Sequence, residues 1–201
     1  MIKGLWGVYV GLVVVLVGCQ KRTLAPSITG TGPKPPKKVS LSPVQQAVID
    51  VHNKKRHHYF TDADLHYSLA LESVAQVYAN HLASLGRFEH DPTNHQRGLG
   101  ENLFAHTQHY PVTIEEAMLQ WYDAERPLYH YANASCDKKK DAKGREIGCG
   151  HYTQIIWKKT REVGCANAQY QTGIFNGGYV YVCKYKDAGN VIFNGVPQKP
   201  Y

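Results

Sequence analysis

Eleven of the 201 residues are His and five are Cys, and any chemistry this chain performs would start with those two side chains. An imidazole can ligate a metal or pass a proton near neutral pH, and a thiolate can attack a carbonyl or hold zinc. Spacing sorts the histidines. His57 and His58 follow Lys54, Lys55 and Arg56 at the end of a helical pattern, where an imidazole simply suits the negative helix terminus. Nothing in the sequence promotes His66, His81, His106, His109 or His130. The cysteines do not read as catalytic. No two of Cys136, Cys149, Cys165 and Cys183 have the spacing of a zinc knuckle, and four Cys in an exported chain read as two disulfides with three possible pairings. No Ser stands beside a base, so no nucleophile is visible.

One segment stands apart, Gly150-His151-Tyr152-Thr153-Gln154-Ile155-Ile156-Trp157. Three others fall in order around it: His52-Asn53-Lys54-Lys55-Arg56, then Gly100-Glu101-Asn102-Leu103, and lastly Val182-Cys183-Lys184-Tyr185 followed by Ala188-Gly189-Asn190. Together they resemble the signature motifs of the CAP superfamily, which groups cysteine-rich secretory proteins, antigen 5 and plant pathogenesis-related type 1 proteins. The resemblance runs from Val44 to Asn190 and implies an α-β-α sandwich with a cleft holding two His and two acids. By motif these include His151, Glu101, and His90 of Phe88-Glu89-His90. The family usually carries its second acid three residues after a helical Trp, but Trp121 is followed by Tyr122-Asp123-Ala124-Glu125, which puts Ala there. Residues 118, 121, 122 and 125 share one helical face, so Glu125 is the choice and Asp123 the fallback. Asn102 and Gln154 are expected to tie loops to the cleft.

Two imidazoles facing two carboxylates could bind zinc or a similar divalent ion through His90 and His151, with Glu101 and Glu125 orienting the rings. The same four groups could serve a metal-assisted peptidase as acid and base, or satisfy one another as a buried network without metal. The expected function is a non-catalytic binding module for a lipid or sterol-like ligand, an envelope component or a host molecule. The resemblance implies extracellular roles and lipid binding in several members, and no nucleophile is visible. A hydrolase using His90, Glu101, Glu125 and His151 is the alternative; a structural envelope protein with an idle cleft is a third reading.

The N-terminus says where such a domain would sit. Lys3 precedes an uncharged run, Gly4 to Gly18, that includes Leu12-Val13-Val14-Val15-Leu16-Val17. This reads as the apolar core of a signal peptide and is too short for a membrane span, which takes about 20 apolar residues. It ends in Leu16-Val17-Gly18-Cys19, similar to a bacterial lipobox, so residues 1–18 are expected to be removed and Cys19 to carry lipid, anchoring the domain to the cell envelope outside the cytoplasm. That assignment also leaves an even set of Cys. Residues 20–42 are Pro, Gly, Thr, Ser and Lys with few large apolar side chains, a linker, and 43–201 form one domain. The net charge of +7 belongs to the tether: Lys3, Lys21, Arg22, Lys34, Lys37 and Lys38 lie there with no acid, and removing these six from the 23 leaves 17 basic against 16 acidic residues. The domain is nearly neutral and offers no groove for nucleic acid; the tether can lie on anionic lipid. The sequon Asn133-Ala134-Ser135 is irrelevant on a bacterial route, and Lys138-Lys139-Lys140-Asp141 reads as a solvated loop.

The positioning elements follow from periodicity. Val44, Ala47, Val48 and Val51 predict a helix from Pro43 to about His58; Leu71, Val74, Ala75, Tyr78, Leu82 and Leu85 predict a second, capped by Gly86. Thr113-Ile114-Glu115-Glu116 is a capping box for a third helix, which should end near Arg126 because Pro127 follows. Residues 151–157, 162–171 and 179–185 are rich in Tyr, Val and Ile and read as strands. Gly173 and Asn176-Gly177-Gly178 make the last two a hairpin, and in one register Cys165 faces Cys183, favouring the pairs Cys165–Cys183 and Cys136–Cys149. Helices first and strands later suggest α+β layers with helices covering an antiparallel sheet.

Overall fold

The computed structural model of the chain describes residues 40–140, 144 and 146–201. The expected leader, Cys19, the linker as far as residue 39 and Asp141 lie outside the described residues.

Helix α1 (Pro43–Arg56) starts on a capping box: the Gln45 amide donates to the Ser42 hydroxyl, and the Gln45 side chain accepts from the Ser42 amide. Strand β1 (His66–Tyr67) leads into α2 (Leu69–Leu85), which stops at Gly86 in the left-handed region, φ 64°, as the sequence predicts. A short α3 (Asn94–Arg97) precedes β2 (Leu99–His106). Helix α4 (Ile114–Met118), α5 (Gly150–Ile155), β3 (Glu162–Gln169) and β4 (Tyr179–Lys186) complete the frame. The sheet order is β1-β3-β4-β2. Its three long strands are antiparallel, whereas β1 joins β3 in parallel through only two residues.

Alternation along the strands builds a three-layer α-β-α sandwich. On one face Ala75, Ala79 and Leu82 of α2 pack on Leu103, Val180 and Val182. On the other, Val48, Met118, Trp121 and Ile155 pack on Val163, Tyr181, Cys183 and Tyr185. Gly164 sets the closeness of α2, since a Cβ there would lie 2.2 Å from the Glu72 amide nitrogen. Cys165 and Cys183 are register partners and form one disulfide; Cys136–Cys149 is the other.

Two expectations need correction. Residues 151–157, read as a strand, begin instead as helix α5, because Glu125 accepts the amides of His151 and Tyr152 at its first turn. That cap lies 26 residues away and is invisible to local pattern. The third helix begins on its Thr113 capping box but is α-helical only to Met118. It then makes a π turn over Leu119–Asp123, with the Ala124 amide donating to the Leu119 carbonyl at 3.0 Å, and a 3-10 turn over Arg126–Leu128. Strand β2, carrying Gly100-Glu101-Asn102, has no counterpart in the sequence reading.

Candidate functional site

Edge strand β2 forms one wall of a cleft of about 480 Å³, whose other walls include Phe88, Trp121, Phe175 and the start of α5. The Trp121 indole donates to the Leu103 carbonyl on the open edge of β2 at 2.9 Å, and its ring stacks between His151 and Tyr181, with centroids 5.9 and 6.0 Å away. Glu125, on the same helical segment, enters the cleft; Asp123 points elsewhere and pairs with Lys55 at 2.7 Å. The π turn explains the choice. Its extra residue per turn brings the side chain four positions after Trp121 to the place where a tighter helix would put the one three positions after it.

The four residues chosen from sequence meet as two pairs. His90 Nδ1 lies 2.7 Å from Glu101 Oε1, and His151 Nδ1 lies 2.5 Å from Glu125 Oε1. Each acid is sealed while its imidazole is reachable: Glu101 and Glu125 side chains are 2% and 6% exposed, His90 and His151 62% and 31%. Glu125 spends its second oxygen on the amides of His151 and Tyr152, at 2.9 and 3.0 Å. Glu101 also accepts the Asp91 amide at 3.0 Å, and its Oε2 lies 2.6 Å from the Lys184 ammonium as an ion contact without hydrogen-bond angles.

Lys184 is the group that sequence reasoning missed. It is fully buried, donates to Asp91 and Asn94 at 2.9 and 2.7 Å, and sits 4.6 Å over the Tyr78 ring. A Lys among Val180, Val182 and Tyr185 in a buried strand was the signal available. Burial pushes the Glu101 and Asp91 carboxyls up, but the hydrogen bond from His90 and the Lys184 charge hold Glu101 below its ordinary value. Lys184 and Thr93 likewise hold Asp91 down at about 2.

Behind the cleft, His52 is also buried, and burial pushes it down to about 4, so the ring is neutral. Its Nδ1 donates to the Val48 carbonyl at 2.7 Å, which makes Nε2 the acceptor for the Tyr185 hydroxyl at 2.9 Å. Asn102 donates to that hydroxyl and to the His151 carbonyl, both at 3.3 Å. Gln154 donates to Thr160 and accepts the Gly189 amide, at 3.1 and 2.8 Å. Gly100 makes room for it, since a Cβ would lie 1.9 Å from Gln154 Oε1. Asn102 therefore ties β2 to β4 and α5, Gln154 ties α5 to the loops at Thr160 and Gly189, and neither lines the cleft.

For a metal, the fit is partial. Each imidazole has its Nδ1 on a carboxylate, the outer arrangement that zinc-binding His residues favour, and its Nε2 remains as a donor. Yet among the described residues no three His, Cys, Asp or Glu side chains converge on one point. Two imidazoles fall short of the three protein ligands of catalytic zinc.

The profile of the cysteine-rich secretory protein family, CAP, matches residues 49–185. Pathogenesis-related protein 1B of Nicotiana tabacum is 32% identical over 157 residues, covering 78% of this chain and 80% of that protein. Pathogenesis-related protein PRMS of Zea mays is 32% identical over 135 residues, 67% of this chain and 70% of that one. Among solved structures, BmVAL-1 superposes with a TM-score of 0.56 at 25% identity, over 82% of this chain and 85% of that one. With the motif residues gathered along one cleft and relatives matched across most of their length, the chain belongs to the CAP, or cysteine-rich secretory protein, family.

Proposed function

We propose that this chain is an exported, lipid-anchored binding protein whose cleft accepts an amphiphilic ligand, a lipid, sterol-like or envelope molecule, without turning it over. The observation that carries this reading is the division of labour in the two pairs. Both carboxylates are sealed and committed to amides, imidazoles and an ammonium, so neither is free to activate water. The imidazole edges and the aromatic rims are what a ligand would meet: Phe88 and Phe175 suit an apolar body, and His90 and His151 suit a polar head. A metallopeptidase is less well supported, because among the described residues two imidazoles leave a metal one ligand short and no Ser or free Cys lines the cleft. Disulfides belong to oxidising compartments, which supports export, and Leu16-Val17-Gly18-Cys19 supports the tether.

The test is native mass spectrometry of delipidated protein mixed with an envelope lipid extract. One equivalent of retained lipid is expected, reduced in an Ala105→Trp variant that narrows the cleft from its β2 wall. No retained ligand, or a hydrolysed product, overturns the proposal. Acyl labelling of Cys19→Ala checks the tether separately: labelling at the wild-type level refutes it.

A further inference from the structure

After β4 the chain passes Asn190 at the cleft rim and forms a hairpin, with Ile192 opposite Pro197 and Phe193 opposite Val196. Asn194 and Gly195 supply its turn with φ of 49° and 76°, the left-handed pair a two-residue hairpin loop requires. The Gln198 amide closes its base on the Val191 carbonyl at 2.9 Å. Backbone hydrogen bonds and turn chemistry hold this finger, not burial. Val191, Ile192, Phe193 and Val196 are 43%, 66%, 65% and 59% exposed. Scattered apolar side chains on a surface are ordinary, but four within six positions on one finger mark a contact site.

The surroundings say what kind. Lys199 follows the finger and is exposed. Val191 shares a groove with Lys159 and Arg161, where Asp187 is the acid present. Ile192 and Pro197 share another groove with Cys136 and Cys149, the disulfide closing the loop that carries exposed Lys139 and Lys140. Asp137 beside that loop faces His130 at 3.0 Å. Apolar side chains inside a mostly basic ring match the interface of an anionic bilayer: the apolar groups enter the acyl boundary while the cations meet lipid phosphates. A hydrophobic pocket on another protein would use the tip but has no need of the ring. From this we infer that the Val191–Pro197 finger is a membrane-inserting contact for anionic lipid, separate from the cleft. This holds whether or not the cleft binds an amphiphile. It would fix the domain face-down on the membrane, with the cleft rim at Asn190 beside the lipid.

The test uses the full chain reconstituted into phosphatidylcholine vesicles with or without phosphatidylglycerol, and a Phe193→Trp variant as reporter. Trp121 and Trp157 are buried, and the parent chain supplies the background from Trp6. In phosphatidylglycerol vesicles the new indole should shift to the blue and be quenched by brominated lipid, and high salt should reverse both effects. Adding Ile192→Ser and Val196→Ser should weaken lipid contact about a hundredfold or more, because each removes an exposed apolar side chain that the bilayer would bury. An indole left unquenched in phosphatidylglycerol vesicles overturns the inference. A blue shift that appears only when a second protein is added overturns it in favour of a protein partner.

Discussion

Replacing Lys184 by Met keeps most of the aliphatic stem and removes the ammonium, which lies 4.6 Å over the Tyr78 ring. The ammonium is fully buried between Asp91 and Glu101, 2.9 and 2.6 Å from their oxygens, and those side chains are 9% and 2% exposed. Breaking a buried pair by deleting one partner costs about 3–5 kcal/mol, since the remaining charge is left without compensation. Two carboxylates share this cation, so the upper half of that range is expected at neutral pH, a large part of the roughly 5–15 kcal/mol that a domain possesses. The pH dependence gives the sign. In the wild type both carboxyls are held below their ordinary values, so their contribution is complete above about pH 4 and is lost as pH falls through the folded values, about 2 for Asp91. In Lys184→Met, burial is opposed only by the hydrogen bonds from His90 and the Asp91 amide to Glu101 and from Thr93 to Asp91, so both carboxyls rise relative to wild type and the variant gains stability relative to it as they take up protons on acidification. Urea unfolding at a series of pH values should show the gap between the two proteins narrowing steadily from pH 7 to about 4. A gap below about 1 kcal/mol at pH 7, or one that stays constant on acidification, would refute the assignment of Lys184 as the counter-charge that holds Glu101 and, through it, His90.

Three further outcomes are expected. Glu125→Ala removes the acceptor for two amides and for His151 Nδ1, and should lower stability by about 2–4 kcal/mol with selective loss of hydrogen-exchange protection over residues 150–155, whereas Glu125→Gln, which keeps an oxygen for the amides, should cost less than half as much. Cys165→Ala with Cys183→Ala opens an 18-residue loop and should cost about 3 kcal/mol in chemical unfolding; a change under about 1 kcal/mol would mean that the β3–β4 ladder alone fixes the hairpin. Calorimetric titration should find weak zinc binding that disappears in His90→Ala/His151→Ala, since two carboxylates alone hold such an ion poorly; unchanged binding in that variant would assign zinc to other histidines.

What could be read from the sequence depended on how local its cause was. Helices α1 and α2 were legible because their apolar spacing and the Gly86 cap lie within the segments themselves. The Cys165–Cys183 pairing was legible because a hairpin brings its own strands into register. The start of α5 was not, because Tyr152, Thr153, Ile155 and Ile156 have strand propensity and the cap that overrides it comes from Glu125. Strand β2 escaped notice because Gly100, Glu101 and Asn102 weaken its pattern. Those residues are there for other reasons: Gly100 clears Gln154, Glu101 meets His90, and Asn102 holds the His151 carbonyl. Helical-face spacing points to Glu125 rather than Asp123, but the π turn over Leu119–Asp123 that carries its side chain into the cleft has no signature in the sequence.

The electrostatics of α5 bear on whether the cleft is rigid. Its amide end meets the Glu125 carboxylate, and its carbonyl end meets Arg56, whose buried guanidinium donates to the carbonyls of Ile155 and Trp157 at 2.7 and 2.9 Å, and also to those of Ala63 and Thr160. An anion at the positive end and a cation at the negative end stabilise a helix of only six residues that could not persist alone. Burial and the neighbouring Arg161 push that cation down to about 10, against the opposing pull of Asp64, so it stays charged at neutral pH. His151 is therefore fixed in the layer formed by α1, α4 and α5, while His90 is fixed through Glu101 and Lys184 in the layer against α2. The two imidazoles are thus supported from opposite faces of one sheet, and both line the cleft beside β2. A site that closes around a metal or follows a reacting carbonyl needs its groups to converge, whereas the proposed binding role needs only imidazoles held in place by their own sealed acids.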